Sequence, residues 1–284
     1  MSSPSNDPWK KHSRHWSPVG QPLRPGSEDI AFTCGAISEW FRWTDRTAPT
    51  LLIMGVTPEL CSLPLNSGSR FIAVDKSAEM IGNLWHPRPG AQDQAVCADW
   101  RQMSLAPSSV DIALGDGSLS TLRYPTDYTT VFSELRRAFR PGSRCVIRCF
   151  MQADNPETTD EVFLDLSRGR IGNFHVLKWR LIMALQPDAE QGVAVQGVWN
   201  IMNQTSPDLN LLAERFGWPV EQVRTIVAYR GVNTRYTFPT RVQYCEFFAA
   251  AGFSVVQVAT QSYELGERCP TFVLERLGGE PRRQ

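Results

Sequence analysis

Apolar residues along this chain come in short runs separated by longer amphipathic stretches, a pattern of strands alternating with helices. Residues 50–54 (Thr-Leu-Leu-Ile-Met), closed by Gly55, form a run of strand length without a charge, which predicts a parallel strand buried on both faces. Residues 70–74, ending at Asp75, repeat the pattern, as do 94–98, ending at Asp99-Trp100, and 110–114, ending at Gly115-Asp116-Gly117. A fifth strand is predicted over 144–150. Between them the spacing becomes helical, over 77–84 with Ser77 or Asp75 as N-cap, and over 127–139 with Pro141-Gly142 as the stop. Upstream, Ser27-Glu28-Asp29 opens a helix that carries Ile30, Phe32, Ile37, Trp40 and Phe41 at roughly helical intervals.

The rhythm breaks over residues 152–239, where helical stretches are predicted at 158–168, 176–185 and 207–216. It resumes with a helix over 240–251 and strands over 253–260 and 271–276, expected to form a hairpin joined by a short turn. Strands separated by helices imply crossover units and a parallel sheet.

Composition narrows the class. Of 284 residues 42% are hydrophobic, enough for a substantial core, and 29 Lys and Arg balance 29 Asp and Glu. A neutral chain lacks the electrostatic footprint of a nucleic-acid binder. No apolar run approaches the ~20 residues of a membrane helix. The first sixteen residues do not read as a secretory signal, so a cytoplasmic location is expected. Seven scattered cysteines without a CxxC pair read as buried free thiols, and the four histidines, at 12, 15, 86 and 175, have no metal-ligand spacing.

In an open parallel sheet, ligands bind beyond the carboxyl ends of the strands, so the residues at those ends carry the chemistry. Gly55-Val56-Thr57 makes a tight turn into a helix. Asp75, about twenty residues later, is placed to accept from ribose hydroxyls, with Lys76 beside it. Asp99 is placed to accept from an exocyclic amine, with Trp100 as a stacking surface. Asp116 sits between two glycines, where backbone can approach a ligand. Each also has a plainer reading, Asp75 as a helix cap, Asp99 as a solvated acid and Asp116 as turn chemistry.

Taken in order, these segments resemble the class I S-adenosylmethionine-dependent methyltransferases. TLLIMGVTPEL stands where that family's glycine-rich first motif lies, and FIAVDKSAEMI, VCADW and VDIALGDGSLSTL resemble the next three. ELRRAFRPGSRCVIRCF and AGFSVVQVATQSYELGERCPTFVLERL are similar to the family's fifth strand region and closing hairpin. The first motif departs from the family: Ile53 stands at its acidic position, and Thr57 and Glu59 replace two glycines. The resemblance implies an α/β, Rossmann-like, seven-stranded and mostly parallel sheet with a closing antiparallel hairpin. To this are added a mainly helical cap insertion and an N-terminal arm. The expected organisation is an arm and helix over 1–49 that acts as a lid, a cofactor-binding core over 50–151, a substrate-binding cap over 152–239, and core completion over 240–284. The cofactor implied is S-adenosyl-L-methionine, held by Gly55, Thr57, Asp75, Lys76, Asp99, Trp100 and Asp116. The arm is expected to add aromatic surface from Trp9 and Trp16, with Arg24 neutralising the cofactor's carboxylate.

The sulfonium already activates the methyl group, so catalysis by positioning and water exclusion suffices and no metal is expected. The candidate catalytic residues are Asp116, Tyr124 and His175. The candidate substrate-binding residues are Tyr124, His175, Trp179, Trp199, Arg235 and Tyr236, around a small organic acceptor. His12 and His15 read as structural or solvated. A nucleic-acid methyltransferase fits poorly, since an Asn-Pro-Pro-Tyr-like fourth motif is missing, and a nicotinamide enzyme would need GxGxxG. A non-catalytic nucleoside-binding sensor or partner subunit stays open, as does a homodimer.

Overall fold

All five residues of β1 (Thr50–Met54) are buried, so the strand must lie in the middle of a covered sheet. The computed structural model describes residues 16–65 and 68–277. In it β1 pairs in parallel with β2 (Arg70–Asp75) on one side and with β4 (Val110–Asp116) on the other. β3 (Gln94–Cys97), β5 (Phe139–Arg148), β8 (Phe253–Ala259) and β9 (Thr271–Arg276) complete a seven-stranded sheet of order β3-β2-β1-β4-β5-β9-β8. β9 runs antiparallel between β5 and β8. A separate two-stranded ladder joins β6 (Val193–Ala194) to β7 (Arg235–Tyr236).

Strand periodicity sends alternate β1 side chains to opposite faces. Leu51 and Ile53 join Ile37 and Trp40 of α1 (Ser27–Arg42) on one face. Leu52 and Met54 meet Phe132 and Leu135 of α4 (Thr126–Ala138) and Phe248 of α10 (Arg241–Ala250) on the other. On the first face lie the short α2 (Pro58–Cys61) and α3 (Ala78–Leu84), the latter capped by Ser77 Oγ accepting from Met80 N–H.

A further apolar core belongs almost wholly to residues 150–238. It is built by α5 (Thr159–Ser167), α6 (Phe174–Ala184), α7 (Val195–Thr205), α8 (Leu209–Phe216) and α9 (Val220–Arg224). Of these, α7 and α9 were not foreseen from the sequence.

Two expected boundaries differ. The helix predicted over 127–139 ends at Ala138, and the strand predicted over 144–150 already starts at Phe139 and closes at Arg148. The Pro-Gly pair is a bulge inside β5: the register against β4 shifts between Val110 and Ile112, and Gly142 takes φ +76°. The closing strands are not joined by a short turn. Residues 260–270 form a long connection holding the 3-10 turn Gly266–Arg268. All seven cysteines are free, but only Cys61, Cys145, Cys149 and Cys269 are buried; Cys97 is exposed. Among the described residues no helix is long and apolar enough to cross a membrane.

Candidate functional site

β1 and β4 are neighbours in the sheet although two strands separate them in sequence, so the order of the sheet reverses between them. Their carboxyl ends diverge there and leave a crevice. A cleft of about 1270 Å3, measured to its open mouth, fills that crevice.

Its sheet side is built by strand ends. Gly55 leaves β1 at φ +108°, a conformation that favours glycine, and its N–H donates to the Val74 carbonyl at 2.8 Å. A Cβ at Gly55 would sit 3.9 Å from both the Asp75 carboxylate and the Trp100 ring, so three neighbours frame one recess. The Oδ1 of buried Asp75 accepts from the Ser77 N–H at 2.8 Å, and its Oδ2 is the oxygen nearer Gly55. Cap and ligand roles are therefore compatible on one carboxylate, which has about four acceptor sites. The Trp100 indole is fixed by its Nε1 donating to the Val74 carbonyl at 2.5 Å. Thr57 lines the same wall, and Lys76 stands exposed at the mouth.

The neighbouring acids are already engaged. Asp99 takes Arg101 Nε at 2.9 Å and Nη2 at 2.6 Å, and that contact holds its carboxyl below the usual range although partial burial opposes it. Arg123, with Arg101 beside it, holds Asp127 at about 2. The side chain of Asp116, at the end of β4, is buried against Arg148, whose Nε donates to it at 2.5 Å. Burial pushes the Asp116 carboxyl up and the Arg148 charge opposes that. That ion pair occupies Oδ1 of Asp116, which lines the base of the cleft, and none of its described contacts assigns it a catalytic role.

The opposite wall comes from residues 150–236. Phe150 stands 5.0 Å from Trp179, and Trp179 stands 5.9 Å from Tyr236, between ring centroids. These three rings, Tyr229 and Lys178 line the cleft. The indole Nε1 of Trp179 and the Oγ of Ser118 are buried, line the cleft and have no hydrogen-bond partner. A buried polar group left so costs about 1–3 kcal/mol, which a bound molecule can offset.

The third wall is the arm. Trp16, Val19 and Leu23 line the cleft, and Arg24 lies over the Trp16 ring, 5.4 Å from its centroid. Arg24 itself is turned away from a ligand role: its Nε and Nη2 bind Glu59 Oε1 at 2.7 and 2.5 Å. Glu59 is the residue that departs from the first motif, and its charge captures the arginine. Trp9, His12 and His15 lie outside the described residues.

Of the expected acceptor residues, Trp179 and Tyr236 are on the cleft and four others are not. Tyr124 packs edge-on against Tyr128 and Phe247 in the sheet core. His175 is buried with Nε2 donating to the Pro18 carbonyl at 3.0 Å. Burial, with the nearby Lys178 charge, pushes it down to about 3, so it is neutral and serves as a structural donor. Trp199 lies under Arg230, and exposed Arg235 donates to the Gln191 and Gly192 carbonyls, clamping the β6–β7 ladder. Sequence reasoning missed Lys178, whose signal was a lone lysine inside the apolar helical run FHVLKWRLIMA. Among the described residues no group of three His, Cys, Asp or Glu is gathered to hold a metal.

A family model described as a methyltransferase domain matches residues 54–147, from the end of β1 to the end of β5. The fold is similar to a Rhodobacter sphaeroides protein described as a zinc-dependent alcohol dehydrogenase, at 11% identity and a TM-score of 0.60, covering 97% of this chain and 100% of that one. It is also similar to a chain of the Haloferax volcanii complex between a methyltransferase and its activator, at 12% identity and a TM-score of 0.51, covering 98% and 100%. A Pyrococcus horikoshii protein matches at 13% identity and a TM-score of 0.51, covering 92% and 98%. At such identities the likeness speaks for the fold alone. A search of curated proteins finds no match. The family match over residues 54–147 and the strand order thus agree on a methyltransferase-type fold for the sheet that builds this cleft.

Proposed function

We propose that this chain is an S-adenosylmethionine-dependent methyltransferase that methylates a small organic acceptor, held between the strand ends and a cap formed by residues 152–239. The observation that carries the reading is the make-up of the cleft, polar at the ends of β1, β2 and β4 and aromatic on the opposite side. One wall suits a nucleoside, with Asp75 accepting from the ribose and Trp100 offering a flat face to the base. The other, through Phe150, Trp179 and Tyr236, suits a small ring rather than a polymer. When bound, the cofactor supplies an activated methyl group. The chain's own task is then to align acceptor and methyl carbon at about 3–3.5 Å and to exclude water.

Calorimetry with S-adenosylhomocysteine, the demethylated product, tests the assignment of Asp75. Asp75→Ala is expected to weaken binding by about 1–3 kcal/mol, because two ribose hydroxyls lose their acceptor; unchanged affinity would remove Asp75 from the site. The transfer itself is expected to proceed without a metal. Once an acceptor is found, turnover should be the same in chelator as in buffer with magnesium or zinc, and loss that either ion restores would refute that.

A further inference from the structure

Lys178 is buried at 2% relative exposure, yet it lines the cleft from the middle of α6. Its Nζ donates to Thr225 Oγ1 at 3.0 Å and lies 5.2 Å from the Tyr229 ring centroid and 6.0 Å from that of Phe174. Among the described residues no carboxylate lies within ion-pair distance of it. A buried ammonium without a counter-charge is costly, and a buried lysine commonly sheds its proton instead.

The groups facing it leave that balance undisturbed. On its own helix His175 is neutral and bonded to Pro18. Tyr229 and Tyr236 are held protonated by burial. Of the helices packed on α6, α7 carries no charged residue, and α9 exposes Glu221 and Arg224 to solvent. On α5, Asp160 and Glu161 are exposed and Asp165 is paired with Arg180. Burial therefore acts almost unopposed, and it brings the amine down to about 7. Tyr229 lies beside Lys178, and the rings of Trp179, Tyr236 and Phe150 line the same cleft, with Phe150 packed against Gly117 of the β4 turn.

We propose that Lys178 is the catalytic base of this cleft, taking the proton of a hydroxyl on an aromatic ring, so that the acceptor class is phenols. The inference rests on the methyltransferase reading of the same cleft. In the step, a phenol oxygen lone pair forms the new bond to the methyl carbon while the carbon–sulfur bond pair returns to sulfur. The O–H proton passes to the neutral amine of Lys178 and leaves later to solvent. The products are the aryl methyl ether, S-adenosylhomocysteine and one proton, so charge and atoms balance. A base whose pKa lies near the working pH is best matched to such a transfer.

The test uses 4-cyanophenol, a weaker acid than the Lys178 ammonium whose ionised form absorbs at longer wavelength than the neutral form, added to full-length protein saturated with S-adenosylhomocysteine. At a pH just above neutrality, where the Lys178 amine is mostly unprotonated and the free probe mostly protonated, wild type is expected to convert the bound probe to phenolate. Lys178→Met and Lys178→Gln should each leave it protonated, since neither side chain carries a basic nitrogen. Binding of S-adenosylhomocysteine is expected to stay within about twofold in both variants, which separates this inference from the cofactor assignment. Equal phenolate signals in wild type and variants, or no probe binding to wild type, overturns the proposal. Should the variants not fold, carbon-13 NMR of lysine-labelled wild type decides. A Lys178 side chain that titrates near neutrality supports it, and one that titrates with the bulk lysines overturns it. Failure of wild type to bind S-adenosylhomocysteine at all would instead strike the methyltransferase reading beneath it.

Discussion

His175 shows how a single side chain was recruited to structure rather than chemistry. Its Nε2 donates to the Pro18 carbonyl and ties α6 to the arm, while its Nδ1 is buried without a partner. Protonation would add a buried charge beside Lys178, and burial foremost holds its pKa down at about 3. The sign follows from linkage: the unfolded histidine, near 6.5, binds a proton that the folded one refuses. Stability from this residue is therefore whole above about 6.5 and drains away as pH falls toward 3. In His175→Gln, which keeps a donor for Pro18 but cannot titrate, unfolding free energy is expected to fall less steeply over that window. The difference approaches one proton, ~1.4 kcal/mol per pH unit. Parallel urea-derived stability curves for the two proteins would show that His175 already titrates normally in the fold.

At the scale of elements, the turn after β4 decides the shape of the cleft. Gly117 takes φ +62° and its N–H donates to the Arg148 carbonyl at 2.9 Å, so the chain folds back against β5. The Phe150 ring occupies the place where a Cβ would point. Gly117→Ala is expected to lower stability by roughly 1–3 kcal/mol through backbone strain, and to weaken acceptor binding by displacing Phe150. A thermal melt matching wild type would show that the turn relaxes freely. Elements of this kind differ in how openly the sequence declares them. The run at 50–54 was legible because it is apolar throughout and closed by glycine, and Asp75, Trp100 and Gly55 follow from strand ends alone. In contrast, α7 reads VQGVWNIMNQT, with glycine, asparagines and β-branched residues of modest helix propensity, and it buries only Val195, Val198 and Met202. Tyr124, His175, Trp199 and Arg235 share the cleft's neighbourhood in sequence, but whether a side chain faces ligand or core depends on helix rotation and tertiary partners. Composition does not encode those. Lys178 is the converse case, polar in an apolar helix, where the mismatch itself was the signal.

For the molecule as a whole, the arm is one of the pieces that join the sheet to the helices beyond it, beside direct contacts such as the Thr237 N–H donating to the Ser120 carbonyl. Between Pro18 and Arg24 it binds three places: Arg24 reaches Glu59 on α2, the Pro22 carbonyl accepts from Arg148 at 2.8 Å, and the Pro18 carbonyl accepts from His175 on α6. Trp16, Val19 and Leu23 then form one side of the cleft. The altered first motif becomes intelligible at this scale, since Glu59 exchanges a glycine's close approach for an anchor on the arm. An arm tied on both sides of a cleft can act as a lid only if ligand and arm stabilise one another. Trp16→Ala and Arg24→Met, made separately in the full chain, are expected to weaken S-adenosylhomocysteine binding by about 1–3 kcal/mol and to leave the sheet folded. Limited proteolysis of wild type should show slower cleavage of residues 1–25 when cofactor is present, because anything that binds only the closed form depletes the open one. A purely structural arm would behave differently. Its variants would melt earlier, yet below that melting temperature they would bind cofactor as tightly as wild type, and cleavage would be indifferent to ligand.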